Sequence, residues 1–195
     1  MEKVSYALGL SLGNNLLQSG ITKLDYSKLA KGIEDVLEGN KPELSYQEAQ
    51  SVINDFFQEL QSKIIDKNKE EGKAFLAENA KRTDVVTLPS GLQYEIISEG
   101  KGEKPQASDT VEVHYHGTLI DGNVFDSSVN RGEPATFGVT QVIPGWVEAL
   151  QLMPVGSKWR LFIPSDLAYG AQGAGQAIAP HATLIFEVEL LDIKK

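Results

Sequence analysis

The sequence predicts an α+β protein in two parts, an all-α amino-terminal arm with a long helix over residues 1–83 and an antiparallel-sheet domain over 84–195. Two observations carry this. Up to about residue 65, apolar side chains recur every three or four positions, the period of a helix. After Asp84 they alternate, and Gly and Pro punctuate short segments, as in a run of strands.

In the first part, Val4, Leu8, Leu12 and Leu16 form one stripe and Leu29, Ile33, Val36 and Leu37 another, which predicts two short helices. Asp25 suits the N-cap of the second and Gly39 its stop. Gly9 and Gly13 lie four apart on one face, where another backbone can approach closely. A third helix is announced by Ser45 and Glu48, the S-x-x-E capping box, followed by Ala49, Ile53, Phe56, Leu60 and Ile64. Continued from Tyr46 to Arg82 it would have 37 residues and reach about 55 Å. Its pattern turns polar in DKNKEEGK, so its first half is expected to be covered and its second half solvated.

Three helices in so short a unit give a marginal core, yet Phe56 and Phe57 stand side by side and demand cover. Dimerisation is the simplest remedy; packing of the helices on the C-terminal domain is the alternative.

In the second part, TVEVHYHGTL sends Val111, Val113, Tyr115 and Leu119 to one face and His114 and His116 to the other. Asp121 and Gly122 make a hairpin turn that returns the chain through Val124, Phe125 and Asp126. LQYEII, ATFGV, KWRLFI and TLIFEVELLDI read as further strands, the last with Leu184, Phe186, Val188 and Leu190 on one face. A short helix, VIPGWVEALQLM, interrupts them, with Pro144 near its start.

Composition excludes several classes of function. The formal charge is −9, with 11 Lys/Arg against 13 Asp/Glu over residues 1–83 and 7 against 14 over residues 84–195. Neither part offers a basic surface for nucleic acid or for an anionic membrane. No stretch approaches the roughly 20 apolar residues of a spanning helix. Without cysteine there is no disulfide and no thiolate chemistry. His114 and His116 have no third ligand nearby and read as surface residues rather than a metal pair. His181 reads as a residue with a structural hydrogen bond. Gly170, Gly173 and Gly175 lack the lysine and the following helix of a phosphate loop. Acidic Glu2 and early glycines are unlike a secretory signal. The expected location is the cytoplasm, or the periplasm or cell surface if the chain is a trimmed mature form.

The blocks VHYHGTL, FDSS, QVIPGWVEALQLMPVGSK, SDLAYG and PHATLIFEVELL, in that order over residues 88–193, resemble the FKBP-type peptidyl-prolyl isomerase signature. SYALGLSLG and the long third helix are similar to the dimerisation arm of the Mip-like bacterial members. The resemblance implies a bent antiparallel sheet wrapped around the short helix, with an apolar pocket between them. It places Tyr115, Asp126, Trp146, Tyr169 and Phe186 as catalytic residues and Phe125, Phe137, Val142, Ile143 and Ile178 as substrate-binding ones. Without the spacing match of these blocks, Phe137, Trp146 and Phe186 would sooner be read as core aromatics, since large aromatics are mostly buried. The loop GAQGAGQAIAP keeps the family length but carries Ala174 where many members have histidine and Ala179 where many have proline.

From the same resemblance follow a role for the Ile143 N–H and the Tyr169 hydroxyl as donors to substrate carbonyls, and a need for neither cofactor nor metal. The implied partners are proline-containing unfolded or partly folded proteins, a second copy of the chain, and macrolide inhibitors of the family. A chaperone or interaction module, using the pocket mainly for binding, is the competing reading.

Overall fold

A computed structural model describes residues 1–194. The chain divides into two compact units, Met1–Ser62 and Lys63–Lys195.

The first unit holds α1 (Glu2–Gln18), α2 (Tyr26–Glu38) and the beginning of α3 (Tyr46–Asn79). Their ends are set as the sequence indicates. Asp25 accepts from the Ser27 and Lys28 amides at 2.9 and 3.1 Å, and Gly39 closes α2 in the left-handed region at φ 69°. The capping box at α3 is reciprocal: Glu48 Oε2 accepts from the Ser45 amide at 2.8 Å while Ser45 Oγ accepts from the Glu48 amide at 3.2 Å. What this unit lacks is a core. No residue of α1 is buried, and in α2 only Asp35 is, paired with Lys31 at 2.8 Å. Leu16, Ile21, Leu29, Ala49 and Leu60 are half-buried, whereas Val4, Leu8, Ile33, Val36, Val52, Ile53 and Phe56 are exposed. The close approach expected at Gly9 and Gly13 is not made within the chain, since nothing lies within 4 Å of where a Cβ would stand.

Helix α3 ends at Asn79, three residues short of the expected Arg82. Its second half is not simply solvated. Ile65, Asn68, Gly72, Phe75, Leu76 and Asn79 form a stripe at helical spacing that is buried or half-buried. Phe75 meets Phe162 with ring centroids 5.9 Å apart, and a Cβ at Gly72 would lie 2.3 Å from Thr183 Oγ1. The polar run hid this face because half the stripe is Asn and Gly. Residues 63–83 accordingly belong to the compact unit of the sheet, whereas the expected division into 1–83 and 84–195 assigns them to the arm.

The sheet has seven strands: β1 (Val85–Thr87), β2 (Gln93–Ser98), β3 (Thr110–Leu119), β4 (Val124–Ser127), β5 (Ala135–Gly138), β6 (Lys158–Ile163) and β7 (Leu184–Lys194). All pairings are antiparallel, in the order β1-β2-β6-β7-β3-β4, with β5 beside β3 next to β4. Register shifts at Ile96/Ser98, Glu112/Val113 and Gly117/Thr118 mark bulges, which bend a sheet and increase its twist. A short turn of helix, α4 (Ser128–Arg131), follows β4, and α5 (Pro144–Leu150) lies in the hollow. Trp146, Ala149, Leu150 and Met153 pack there against Val111, Val113, Leu161, Leu184, Phe186, Val188 and Leu190, all buried. The bent sheet wrapped around a short helix is therefore present.

Two histidines depart from expectation. His114 and His116 are half-buried, with their Nδ1 atoms 3.1 and 2.9 Å from the Ser128 and Ser127 hydroxyls. They anchor the turn after β4 rather than face open solvent.

Candidate active site

Between the hollow of the sheet and α5 lies a cleft of about 590 Å³. Alternation along β3 turns Tyr115 inward, and Gly117, two residues on, leaves space at the strand. A Cβ there would come within 2.7 Å of the Phe125 ring and 2.8 Å of Phe186. The small residue thus lets two aromatic side chains from β4 and β7 close over the same spot. Pro144 starts α5 and the helix turns Trp146 onto the floor.

The walls are aromatic. Trp146 stands edge-on to Tyr115, Phe137 and Phe186 at centroid distances of 5.5, 5.9 and 5.2 Å, and Phe125 stands edge-on to Phe186 at 5.3 Å. Such edge-to-face contacts add to simple burial. The Trp146 indole N–H is buried and has no hydrogen-bond partner among the described residues. Val142 and Ile143 precede α5, and Tyr169, Ala174, Ala177 and Ile178 come from the loop between β6 and β7. All ten residues expected from the sequence line this one cleft, together with Gln141, Ala174 and Ala177.

One edge of the cleft is charged. The Tyr115 hydroxyl donates to Asp126 Oδ2 at 2.5 Å. Arg131 donates to Asp126 Oδ1 through one guanidinium nitrogen and, through the other, to the Tyr115 hydroxyl oxygen at 2.8 Å. Burial and the Asp126 carboxylate hold the Tyr115 hydroxyl above its ordinary ionisation range. Burial alone would raise Asp126, but the bonds from Tyr115 and Arg131 outweigh it and hold the carboxyl below the usual carboxylate range. The result is a neutral hydroxyl fixed between a carboxylate and a guanidinium.

Arg131 was not foreseen. It reaches Asp126 because α4 turns the chain within five residues, with Ser127 Oγ accepting from the Asn130 amide at 3.1 Å. The available signal was Ser127 as an N-cap and Gly132 as a stop, four residues of helix too short to show a period. His181 contributes its backbone: its N–H donates to the Gly170 carbonyl at 2.8 Å, and it holds φ 58°, the one positive φ of a non-glycine residue among those described.

Comparison with known proteins gives the same direction. The family described as FKBP-type peptidyl-prolyl cis-trans isomerase matches residues 101–191, and a domain described as amino terminal to FKBP-type peptidyl-prolyl isomerase matches residues 1–96. The chain is 48% identical to the outer membrane protein MIP of Legionella longbeachae, over 100% of this chain and 86% of that protein. It is also 48% identical to the FKBP-type 22 kDa peptidyl-prolyl cis-trans isomerase of Escherichia coli, over 98% and 94%. The crystal structure of FkpA from Escherichia coli superposes with a TM-score of 0.80 at 42% identity, covering 98% of this chain and 95% of that one.

No helix among the described residues is long and apolar enough to cross a membrane. The cytoplasmic expectation gains no support from these relatives, one of which is named as an outer membrane protein. By full-length identity, by both domain matches and by fold, the chain belongs to the FKBP-type peptidyl-prolyl cis-trans isomerases, in the Mip-like and FkpA-like group, and is an enzyme of that type.

Proposed function

We propose that the chain accelerates proline-limited folding of client polypeptides at the Tyr115 to Phe186 cleft. The observation that carries this is the convergence of ten residues from β3, β4, β5, α5, β7 and two loops on an aromatic cleft. An X-Pro bond crosses between isomers over a barrier of about 18–20 kcal/mol, which is the cost of breaking amide conjugation. In the twisted state the carbonyl is less charge-separated and the nitrogen becomes pyramidal. Walls of Phe125, Phe137, Trp146 and Phe186 favour that state over the planar amide, with Val142, Ile143 and Ile178 filling the space around a proline ring. Catalysis is then differential binding of a conformer, and it needs no bond to the enzyme.

In this reading the Ile143 N–H and the Tyr169 hydroxyl hold substrate carbonyls. Asp126 orders the Tyr115 hydroxyl, a role supported by their 2.5 Å hydrogen bond and by the shared contact with Arg131. Large macrolide ligands of the family would have to fit under a loop carrying Ala174 and Ala179.

The arm makes a homodimer. Supporting this are an α1 without a buried residue, open space over Gly9 and Gly13, and exposed Ile53 and Phe56. A two-fold interface between identical apolar faces would cover all of them. Two linked pockets raise effective concentration on a long client, which favours catalysis and chaperone-like holding together. The outer-membrane name of the Legionella relative favours the periplasm or cell surface as the place of work.

The test is the intact chain against a short Xaa-Pro peptide, beside refolding of a proline-limited protein. Activity equal to the uncatalysed rate in both would overturn the proposal. Refolding assistance without peptide turnover would instead favour the binding module.

A further inference from the structure

The loop from Gly170 to Ala179 has three Gly and four Ala among its ten residues, a composition with much conformational entropy to lose and little side-chain packing to offset it. Yet it supplies Ala174, Ala177 and Ile178 to the cleft, and Ile178 is buried. Its own bonds are few. Ala174 and Ile178 exchange backbone hydrogen bonds at 2.8 and 3.1 Å, and Gly173 N–H donates to the Tyr169 carbonyl at 3.2 Å. The left-handed turn at His181 then leads the chain toward β7.

A further contact comes from far away in sequence. Asn68 on α3 donates its side-chain amide to the Pro180 carbonyl at 2.8 Å, across 112 positions. One turn later the helix lies against Thr183 at Gly72, a distance only a residue without Cβ permits. The loop is thus gripped at its C-terminal end, on both sides of His181, by two successive turns of one helix. Asn68 and Pro180 both lie in the compact unit Lys63–Lys195.

We propose that Asn68 is a positioning residue for the isomerase site, fixing the Pro180 carbonyl and through it the placement of Ala174, Ala177 and Ile178 over the cleft. The inference rests on the assignment of that cleft as the site. A helix that only covered the sheet would be served by the Phe75 and Leu76 contacts further along. A polar side chain aimed at the end of a pocket loop fixes the loop instead. Losing it leaves the aromatic floor intact and loosens the roof, so it weakens substrate capture more than the chemical step.

The experiment uses the full chain. Asn68→Ala removes the side chain, Asn68→Asp keeps its shape but replaces the donor by an oxygen, and Asn68→His restores a ring N–H near the lost donor. Peptide kinetics are read as kcat and KM separately, with amide exchange over residues 173–179 and thermal unfolding alongside. For Ala and Asp, KM rises roughly three- to tenfold, the range of one net hydrogen bond, with kcat within about twofold. Exchange at Ala174 and Ile178 quickens, and the His variant returns toward the parent. A parental KM in the Ala and Asp variants overturns the proposal. So does a loss of activity that follows unfolding temperature with exchange at 173–179 unchanged. An inert parent chain would fail the site assignment instead, a distinguishable result.

Discussion

Asn79, the last residue of α3, donates its side-chain amide to Gln93 Oε1 at 2.9 Å, and both side chains are buried. Gln93 in turn donates to the Leu76 carbonyl at 2.9 Å, so one glutamine on β2 satisfies the end of the helix twice. Asn79→Ala leaves a buried acceptor on Gln93 unpaired and is expected to cost about 1–3 kcal/mol. Denaturant unfolding of the single variants and of Asn79→Ala with Gln93→Ala would show coupling, the double variant losing less than the sum.

The same packing predicts that two fragments behave differently. Residues 63–195 keep Asn68, Gly72, Phe75 and Asn79 against the sheet; residues 84–195 lose them all. The longer fragment should match the intact chain on short peptides, and the shorter should unfold at lower temperature and expose Phe162. Equal unfolding temperatures would contradict the packing role of the helix.

The floor of the cleft separates apolar from hydrogen-bonding contributions. Trp146→Ala opens a cavity and should abolish most peptide turnover, with a stability loss of about 3–5 kcal/mol. Trp146→Phe should keep much of the activity, because the indole N–H has no partner to lose. Tyr115→Phe removes one hydroxyl and should cost roughly two- to tenfold in kcat/KM.

The pH profile follows from the Tyr115, Asp126 and Arg131 cluster. Asp126 sits below its ordinary 3.8, so its contribution is complete above that value and is lost as pH falls through the lower folded value. Tyr115 sits above 10.0, so its contribution holds below that value and is lost as pH rises through the higher folded one. Between these limits the cluster contributes no step to kcat/KM. Arg131→Ala removes a bond that lowers Asp126, so the acid limb should move to higher pH; an unmoved limb would argue against the cluster.

The proposed dimer can be tested at named positions. Leu60 is a poor choice, since it packs within 3.2 Å of a Cβ position at Gly20 in its own chain. Ile53 and Phe56, exposed by 49% and 43%, are better. Ile53→Glu with Phe56→Glu should yield a monomer by light scattering, with peptide turnover unchanged and protein refolding slower.

Legibility differed between elements for physical reasons. Caps at Asp25, Ser45 and Gly39 are local, so the helix starts and the α2 stop could be read directly, and strict alternation along β3 revealed its inward face. The cleft was legible through motif resemblance, because residues from five elements and two loops meet only after the sheet bends. Arg131 was invisible since its partner is chosen by a single turn of helix. The packed face of α3 was missed because Asn68, Gly72 and Asn79 make contact by hydrogen bonding and close approach rather than by apolar burial.

The seventh strand lies in the middle of the sheet, between β6 and β3. On a ribosome, everything up to β6 emerges first, yet β1, β2 and β6 form one ribbon and β3, β4 and β5 another, with no pairing between the two. Phe186, one wall of the cleft, arrives with β7. The nascent domain therefore stays in two unjoined ribbons with exposed strand edges, a state open to misassociation. Only when residues 184–194 have emerged can the sheet close and Phe186 complete the cleft, so the isomerase has no site until β7 joins the two ribbons.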